Sequence, residues 1–283
     1  MGRFANGTLA LQNENKTGII SLVMLNLLLL CINCIDIVFV WFGFQYKNDM
    51  NLSAYVHEGT GMLIFSIVLA MALLLFFFRG NLNFSQKNKW LRRGAYAWLI
   101  QNMLLVISVL LRDYYYIVHM GLAYKRIGVL FFLLLVLFGL ITVFIKIQQV
   151  KTAYYLLRIN AWLAIALLVF ASCIQWDTMI AEYNLARKNS IPVDIQFLLS
   201  LSDKTLPIWE TNMEVLEKYS DPAIAGNTEF RHRSGETPKQ FFIRRKSDFL
   251  KEQLSYNWLS WNFSDQYVKN HLTKTSLAQM INH

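Results

Sequence analysis

No proline precedes residue 192: all four, Pro192, Pro207, Pro222 and Pro238, fall late in the 283-residue chain. The apolar stretches before that point lack the residue that most often breaks or kinks a helix. They therefore do not offer the interrupted spans, matched between two halves, that mark the binding sites of many transporters. Cysteine is nearly as scarce. Cys31, Cys34 and Cys173 are the only three, all inside apolar runs, so the C-terminal hundred residues must fold without disulfides. A CxxC spacing within an apolar helix reads as small packing residues rather than as a redox motif. Catalytic signatures are also missing. There is no HExxH, GxGxxG, GxxxxGK or GxSxG, and no Cys/His set at zinc spacing. His57 beside Glu58 is not a metal pair on a helix, where ligands stand three or four residues apart. No internal repeat, low-complexity tract or heptad seam is present. These absences leave no cofactor, metal or catalytic residue to assign, and a membrane-embedded enzyme ranks third among the functional readings.

What the chain does contain is long apolar runs. Hydrophobic residues make up 55% of it and the mean hydropathy is positive. An α-helix needs about 18 to 20 apolar residues to cross a hydrocarbon core of about 30 Å. Five windows qualify: Gly18 to Phe44, Gly61 to Phe78, Ala95 to Leu111, Gly128 to Ile145 and Asn160 to Ile174. The first is too long for a cleaved signal peptide and has no small-residue cleavage site after a basic head. The expected fold class is an all-α membrane protein. A bundle of about five transmembrane helices over residues 1–178 is followed by a polar, mostly helical C-terminal tail over 179–283.

Charge reports orientation. Residues 1–178 carry 14 Lys/Arg against 6 Asp/Glu, a net of +8, whereas 179–283 carry 13 against 12, a net of +1. A basic excess confined to the loops points to lipid headgroups and topology rather than to nucleic acid. Counted near the span ends, ten basic residues fall on one side and six on the other, and the loop "RGNLNFSQKNKWLRR" dominates. The positive-inside rule then puts the N-terminus in the cytoplasm and the tail outside, which in a bacterium is the periplasm.

Ionisable side chains are costly inside a bilayer, so each calls for a partner or a purpose. Asp36 shares a helical stripe with Asn26 and Asn33, and the third span repeats the pattern with Gln101, Ser108 and Arg112. Polar stripes face other helices rather than lipid. Counted from Tyr46, Asp36 lies about 15 Å deep at 1.5 Å per residue, toward the end where Arg112 and Arg126 emerge. Alternation of the spans gathers His57, Glu58, Arg112, Asp113, His119, Lys125 and Arg126 at that same level. Two readings stand side by side. The group forms a polar site for an anionic ligand, lipid headgroup or proton, or its members are interfacial anchors, with the tyrosines of "RDYYYIVH" as an aromatic belt. Asp36 paired with Arg112 or Arg126 fits a structural ion pair equally well.

In the tail, Pro207 opens a segment with Trp209, Met213, Leu216 and Tyr219 at helical spacing. After a turn-rich break, Thr237 and Pro238 read as a cap and first turn. Ile243, Leu250, Leu254, Trp258 and Trp261 are expected on one face of the helix that follows. Ser264 is expected to cap a last short helix. Asp194 and Asp203 read as caps or solvated charges. Trp209, Trp258, Trp261 and Asn262 are the tail residues expected either to meet a partner or to form the tail's own core.

Four segments carry a family resemblance: "YVHEG" (55–59), "YIVHMGLAYKRI" (116–127), "DIQFLLSLSDKTLP" (194–207) and "NWLSWNFS" (257–264). In that order they resemble the uncharacterised bacterial membrane proteins of domain-of-unknown-function families 4153 and 4173. The second segment is similar to the family's Tyr-Gly-Leu-Thr pattern followed by an arginine, here Arg126, with Ala123 where Thr is usual. The last has Leu259 where the family has Arg. The resemblance implies a bacterial inner-membrane protein, with further spans ahead of the segment seen here, and supplies no activity. It also implies a turn of fixed shape at Gly121, with Gly121 and Arg126 falling on the motif.

The expected role is that of a structural or accessory subunit that docks a protein partner, or a second copy of itself, through its outer face and tail, with membrane lipids around its spans. A transporter or lipid-handling protein, with Asp36, Glu58, Arg112 and Arg126 lining a ligand path, is the alternative.

Overall fold

The computed structural model describes residues 2–42, 61, 64, 89–221 and 235–281. Among these the regular structure is helical, without strands. The elements are α1 (Gly2–Asp36), continued by a π-helical segment (Ile37–Phe42), then α2 (Lys89–Met120), α3 (Tyr124–Gln149) and α4 (Ala153–Ser172). They continue as α5 (Trp176–Ala186), α6 (Ile195–Leu199), α7 (Leu206–Thr211), α8 (Met213–Ser220), α9 (Pro238–Ser255) and α10 (Phe263–Ile281). Apart from residues 61 and 64, the expected second span, with His57 and Glu58 ahead of it, lies outside the described residues.

Four described helices are long and apolar enough to cross a membrane: Lys16–Phe42, Arg92–Met120, Tyr124–Gln149 and Ala153–Ser172. None of them contains a proline, and leucine-rich, proline-free sequence propagates a helix well; the first ends in the π-helical segment. The third span is longer than its apolar window. It carries Arg112, Asp113 and the tyrosines on to Met120 in helix, and only residues 121–123 lie between α2 and α3. α3 ends in a left-handed residue, Val150 (φ 54°), and the Lys151 N–H donates to the Lys146 carbonyl at 3.0 Å, a Schellman closure that sends the chain back into α4.

The chain divides into two compact units. The first comprises Met1–Val118 and Tyr124–Cys173, the second His119–Ala123 and Ile174–His283. The first unit's core is a layer of apolar side chains, with Leu22 and Leu29 of α1, Trp98, Leu105 and Val109 of α2, and Leu133, Leu140 and Ile147 of α3 all buried. Cys31, Cys34 and Cys173, expected as packing residues, are instead exposed and free. A helix within an apolar solvent has no need to bury a thiol.

The second unit packs Ile180, Leu185, Leu198, Leu206, Trp209, Leu216, Phe242, Phe249 and Leu272 into its own core. Trp209 is 1% exposed and belongs to that core. The segment opened by Pro207 is two helices, because the chain turns at Asn212 (φ −120°, ψ 35°). Thr237 caps α9 through a full capping box with Gln240, and Pro238 fills the first turn. Two expectations fail. The chain turns extended at Tyr256 (φ −71°, ψ 138°), so Trp258 and Trp261 are not on α9, and its buried face is Phe242 and Phe249 while Ile243 and Leu254 are exposed. The side chain of Trp258 lies outside the described residues. The start of α10 is capped by Asn262, whose Oδ1 accepts from the Ser264 N–H at 2.9 Å, rather than by Ser264, and the helix is 19 residues long. Asp194 caps α6 by accepting from the Phe197 N–H at 2.9 Å. Asp203 accepts from Arg245, which also donates to the Leu199 and Leu201 carbonyls and so fastens α9 to the segment between α6 and α7.

Candidate functional site

The polar stripes of α1 and α2 face each other. Gln101 Nε2 donates to Asn26 Oδ1 at 2.9 Å, Asn26 Nδ2 to the Gly94 carbonyl at 3.1 Å, and Asn33 Nδ2 to the Gln101 carbonyl at 3.1 Å. Further along, Trp41 Nε1 donates to Ser108 Oγ at 3.0 Å and Arg112 donates to Asp36 Oδ1. Rising numbers on α1 meet rising numbers on α2, so the two helices are parallel. That is the sense which alternating first, second and third spans require. The physical cause of the pairing is the scarcity of alternatives, since a polar group in a bilayer finds partners only on another helix.

The π-helical segment explains how Trp41 joins the seam. In α-geometry five residues advance about 140° beyond a whole turn, which would point Trp41 away from the face that carries Asp36. In the π register residue i bonds to i+5, so Trp41 comes round beneath Asp36 and both reach α2. The register shift therefore extends the seam by one more hydrogen bond.

The closing element is the Asp36–Arg112 ion pair. Asp36 is 3% exposed and the Arg112 side chain 12%, so neither ion keeps much of its hydration. Arg126, the other expected partner, goes elsewhere. Its guanidinium lies 3.9 Å from the centre of the Tyr116 ring and is the positive charge that acts on buried Asp113. Sequence spacing brings Arg112 and Arg126 to one level, but only the packed register separates their roles. Several polar atoms of the seam have no hydrogen-bond partner among the described residues: Asn33 Oδ1, Asp36 Oδ2, Gln101 Oε1, Arg112 Nε and Asp113 Oδ2. A second, smaller polar contact joins α3 to α4, where Asn160 Nδ2 donates to Thr142 Oγ1 at 3.0 Å.

The turn after α2 belongs to the second unit. Gly121 adopts φ +81°, a conformation that favours glycine, and a Cβ there would stand 2.3 Å from Asn184 Oδ1. Asn184 of α5 is 7% exposed and uses its whole amide: Oδ1 accepts from the Leu122 N–H at 2.7 Å and Nδ2 donates to the Leu122 carbonyl at 2.8 Å. The side chain thus pairs with the turn as a neighbouring strand would. Asn184 is the residue that sequence reasoning missed. Its only signal was a polar residue among the apolar positions Ile180, Ala181 and Leu185.

Of the remaining expected residues, Trp261 is 61% exposed and Asn262 serves as the α10 cap. They do not join the seam, and neither does Trp209.

Helices long and apolar enough to cross a membrane, two of them fastened by a buried polar seam, define an all-α membrane protein. The chain belongs to the family described as Domain of unknown function (DUF4153), whose model matches residues 3–211. That match takes in the seam, the turn and Asn184, and ends at the last residue of α7. No curated protein and no solved structure matches the chain.

Proposed function

We propose that the protein is a multi-pass accessory subunit of the bacterial inner membrane, with its N-terminus in the cytoplasm and its second unit in the periplasm, and that it docks a protein partner through that unit. The observation that carries this reading is the Asp36–Arg112 pair. These two charges are spent on each other, as a fastening needs, rather than held open toward a path. The docking surface is an open groove of about 500 Å³ over α8 and α9. Met213, Ile243, Leu250 and Leu254 give it an apolar lining, beside Lys251 and the ion-paired Lys246 and Glu210. An apolar lining of this kind suits the apolar face of an amphipathic helix. The misassigned stripe of α9 thereby acquires a use, since Ile243 and Leu254 are left outside the core.

A photo-crosslinker placed at Leu250 in the full-length protein, activated in intact cells, tests this. One discrete heavier species that disappears with Ile243→Asp supports docking, and its mass separates a partner from a second copy. A protein that stays uncrosslinked at Leu250 contradicts it.

One observation favours the alternative reading, a carrier or lipid-handling protein. The unpartnered oxygens of Asn33, Asp36 and Gln101 are acceptors that a proton or water would satisfy. Under that reading Asp36→Asn abolishes transport or lipid handling while the protein remains folded.

A further inference from the structure

The connection between α9 and α10 displays apolar side chains where a domain in water presents charge. Leu259 is 73% exposed, Trp261 61%, Phe263 74% and Tyr267 62%. A cluster of this kind on a folded unit marks a contact surface. Its backbone is held in place. Asn257 Oδ1 accepts from the Leu259 N–H at 3.0 Å and the Ser260 N–H at 3.3 Å around the 3₁₀ turn Trp258–Ser260, and Asn262 caps α10. On α10 the buried stripe is Val268 and Leu272, whereas Phe263 and Tyr267 form a separate stripe about 140° away that the core does not use.

The chain itself says what covers this surface. Gln175 Nε2 donates to Ser264 Oγ at 3.0 Å, and Gln175 follows Ser172, the last residue of a candidate membrane span, by three positions. Three residues reach at most about 11 Å. A headgroup layer is about 5 to 7 Å thick on each side of the hydrocarbon core. Counting the two side chains and their hydrogen bond as well, Ser264, with Trp261 and Phe263 just before it, is thus tethered within about 20 Å of the end of that span.

We propose that residues 259–267 form an interfacial anchor, in which Leu259, Trp261, Phe263 and Tyr267 enter the headgroup and acyl boundary of the phospholipid bilayer. Trp and Tyr favour that layer because each joins an apolar body to one polar group, and Leu and Phe supply apolar depth. Residues 251–274 carry Lys251, Lys269 and Lys274 against Glu252 and Asp265, a net of only +1. Apolar insertion therefore drives the contact, and a zwitterionic bilayer suffices. The inference is independent of the docking reading, whose groove uses other side chains.

The full-length protein with Cys31, Cys34 and Cys173 changed to Ser is reconstituted in phosphatidylcholine vesicles. A polarity-sensitive fluorophore is attached at Leu259→Cys, at Phe263→Cys, or at exposed Lys218→Cys as reference. Nitroxide carried on lipid quenches the labels at 259 and 263 at least threefold more than the label at 218, and aqueous iodide gives the reverse order. Iodide quenching at 259 and 263 equal to that at 218 overturns the anchor, as does protection from both quenchers, which signals a protein contact. A second measurement leaves Leu259 and Phe263 intact. Quenching of intrinsic fluorescence by dibrominated phosphatidylcholine decreases in Trp261→Phe, and unchanged quenching counts against the proposal.

Discussion

Asn184 and Leu122 are joined by two hydrogen bonds, 2.7 and 2.8 Å, in which one side-chain amide satisfies both backbone groups of the middle residue of a three-residue turn. The turn between α2 and α3 is thereby part of the C-terminal unit rather than a free loop. Gly121 makes this possible by leaving room for the Asn184 amide where a Cβ would stand.

Asn184→Ala leaves the Leu122 N–H and carbonyl without these partners, at a cost of about 2 kcal/mol in the stability of the second unit. Gly121→Ala costs at least as much, because it adds left-handed strain to displacement of the same amide. The double variant is markedly less destabilised than the sum of the two, since both remove one interaction. Unfolding in detergent, read by tryptophan fluorescence, measures all three, and strict additivity would show that the two residues are not coupled.

Breaking the seam at its charged end is more costly. Arg112→Met leaves Asp36 buried without its counter-ion, a loss of about 3 to 5 kcal/mol, while the double change Asp36→Leu with Arg112→Met recovers most of it. Stability against sodium dodecyl sulfate in mixed micelles reports the difference. Recovery by the apolar pair identifies a fastening, whereas a stable but inactive double variant in a transport assay supports the carrier reading.

Acid sensitivity has a local source in the second unit. The Lys188 ammonium donates to Glu214, and this hydrogen bond, with the attraction between the charges, holds the Glu214 carboxyl below its ordinary value of 4.5. A carboxyl with a depressed folded value contributes stability that is present above the unfolded value and is lost as pH falls through the folded one. Glu214→Gln therefore lowers stability slightly at pH 7 and flattens its dependence below pH about 4.5. Thermal melts of both proteins between pH 3 and 7 check the sign. A variant whose melting temperature lies below wild type by the same amount at pH 3 as at pH 7 would remove Glu214 from the account.

The spans and the two polar stripes were legible in the sequence because each depends on one helix alone: a run long enough to cross, and polar residues seven apart. What joins the stripes was not. Whether Asp36 meets Arg112 or Arg126 depends on how α1 and α2 are packed, and no local signal marks "IVFVWF" as the π-helical turn that brings Trp41 into line. On α9 the apolar residues form two adjacent stripes, Phe242 with Phe249 and Ile243 with Leu250 and Leu254, one residue apart. Periodicity finds both, but only the partner surface decides which is buried. Asn184 was invisible because its role lies in a turn 62 residues away in sequence.

The central claim is that the turn 119–123 and the C-terminal unit share one aqueous face, with the α3–α4 connection on the other. Single cysteines at Lys125, Lys218 and Lys151, in protein otherwise freed of cysteine, are exposed to a membrane-impermeant maleimide in cells with a permeabilised outer membrane. Labelling at 125 and 218, with 151 reacting only after lysis, is the predicted pattern. Reaction at 151 in unlysed cells, or a difference between 125 and 218, contradicts it.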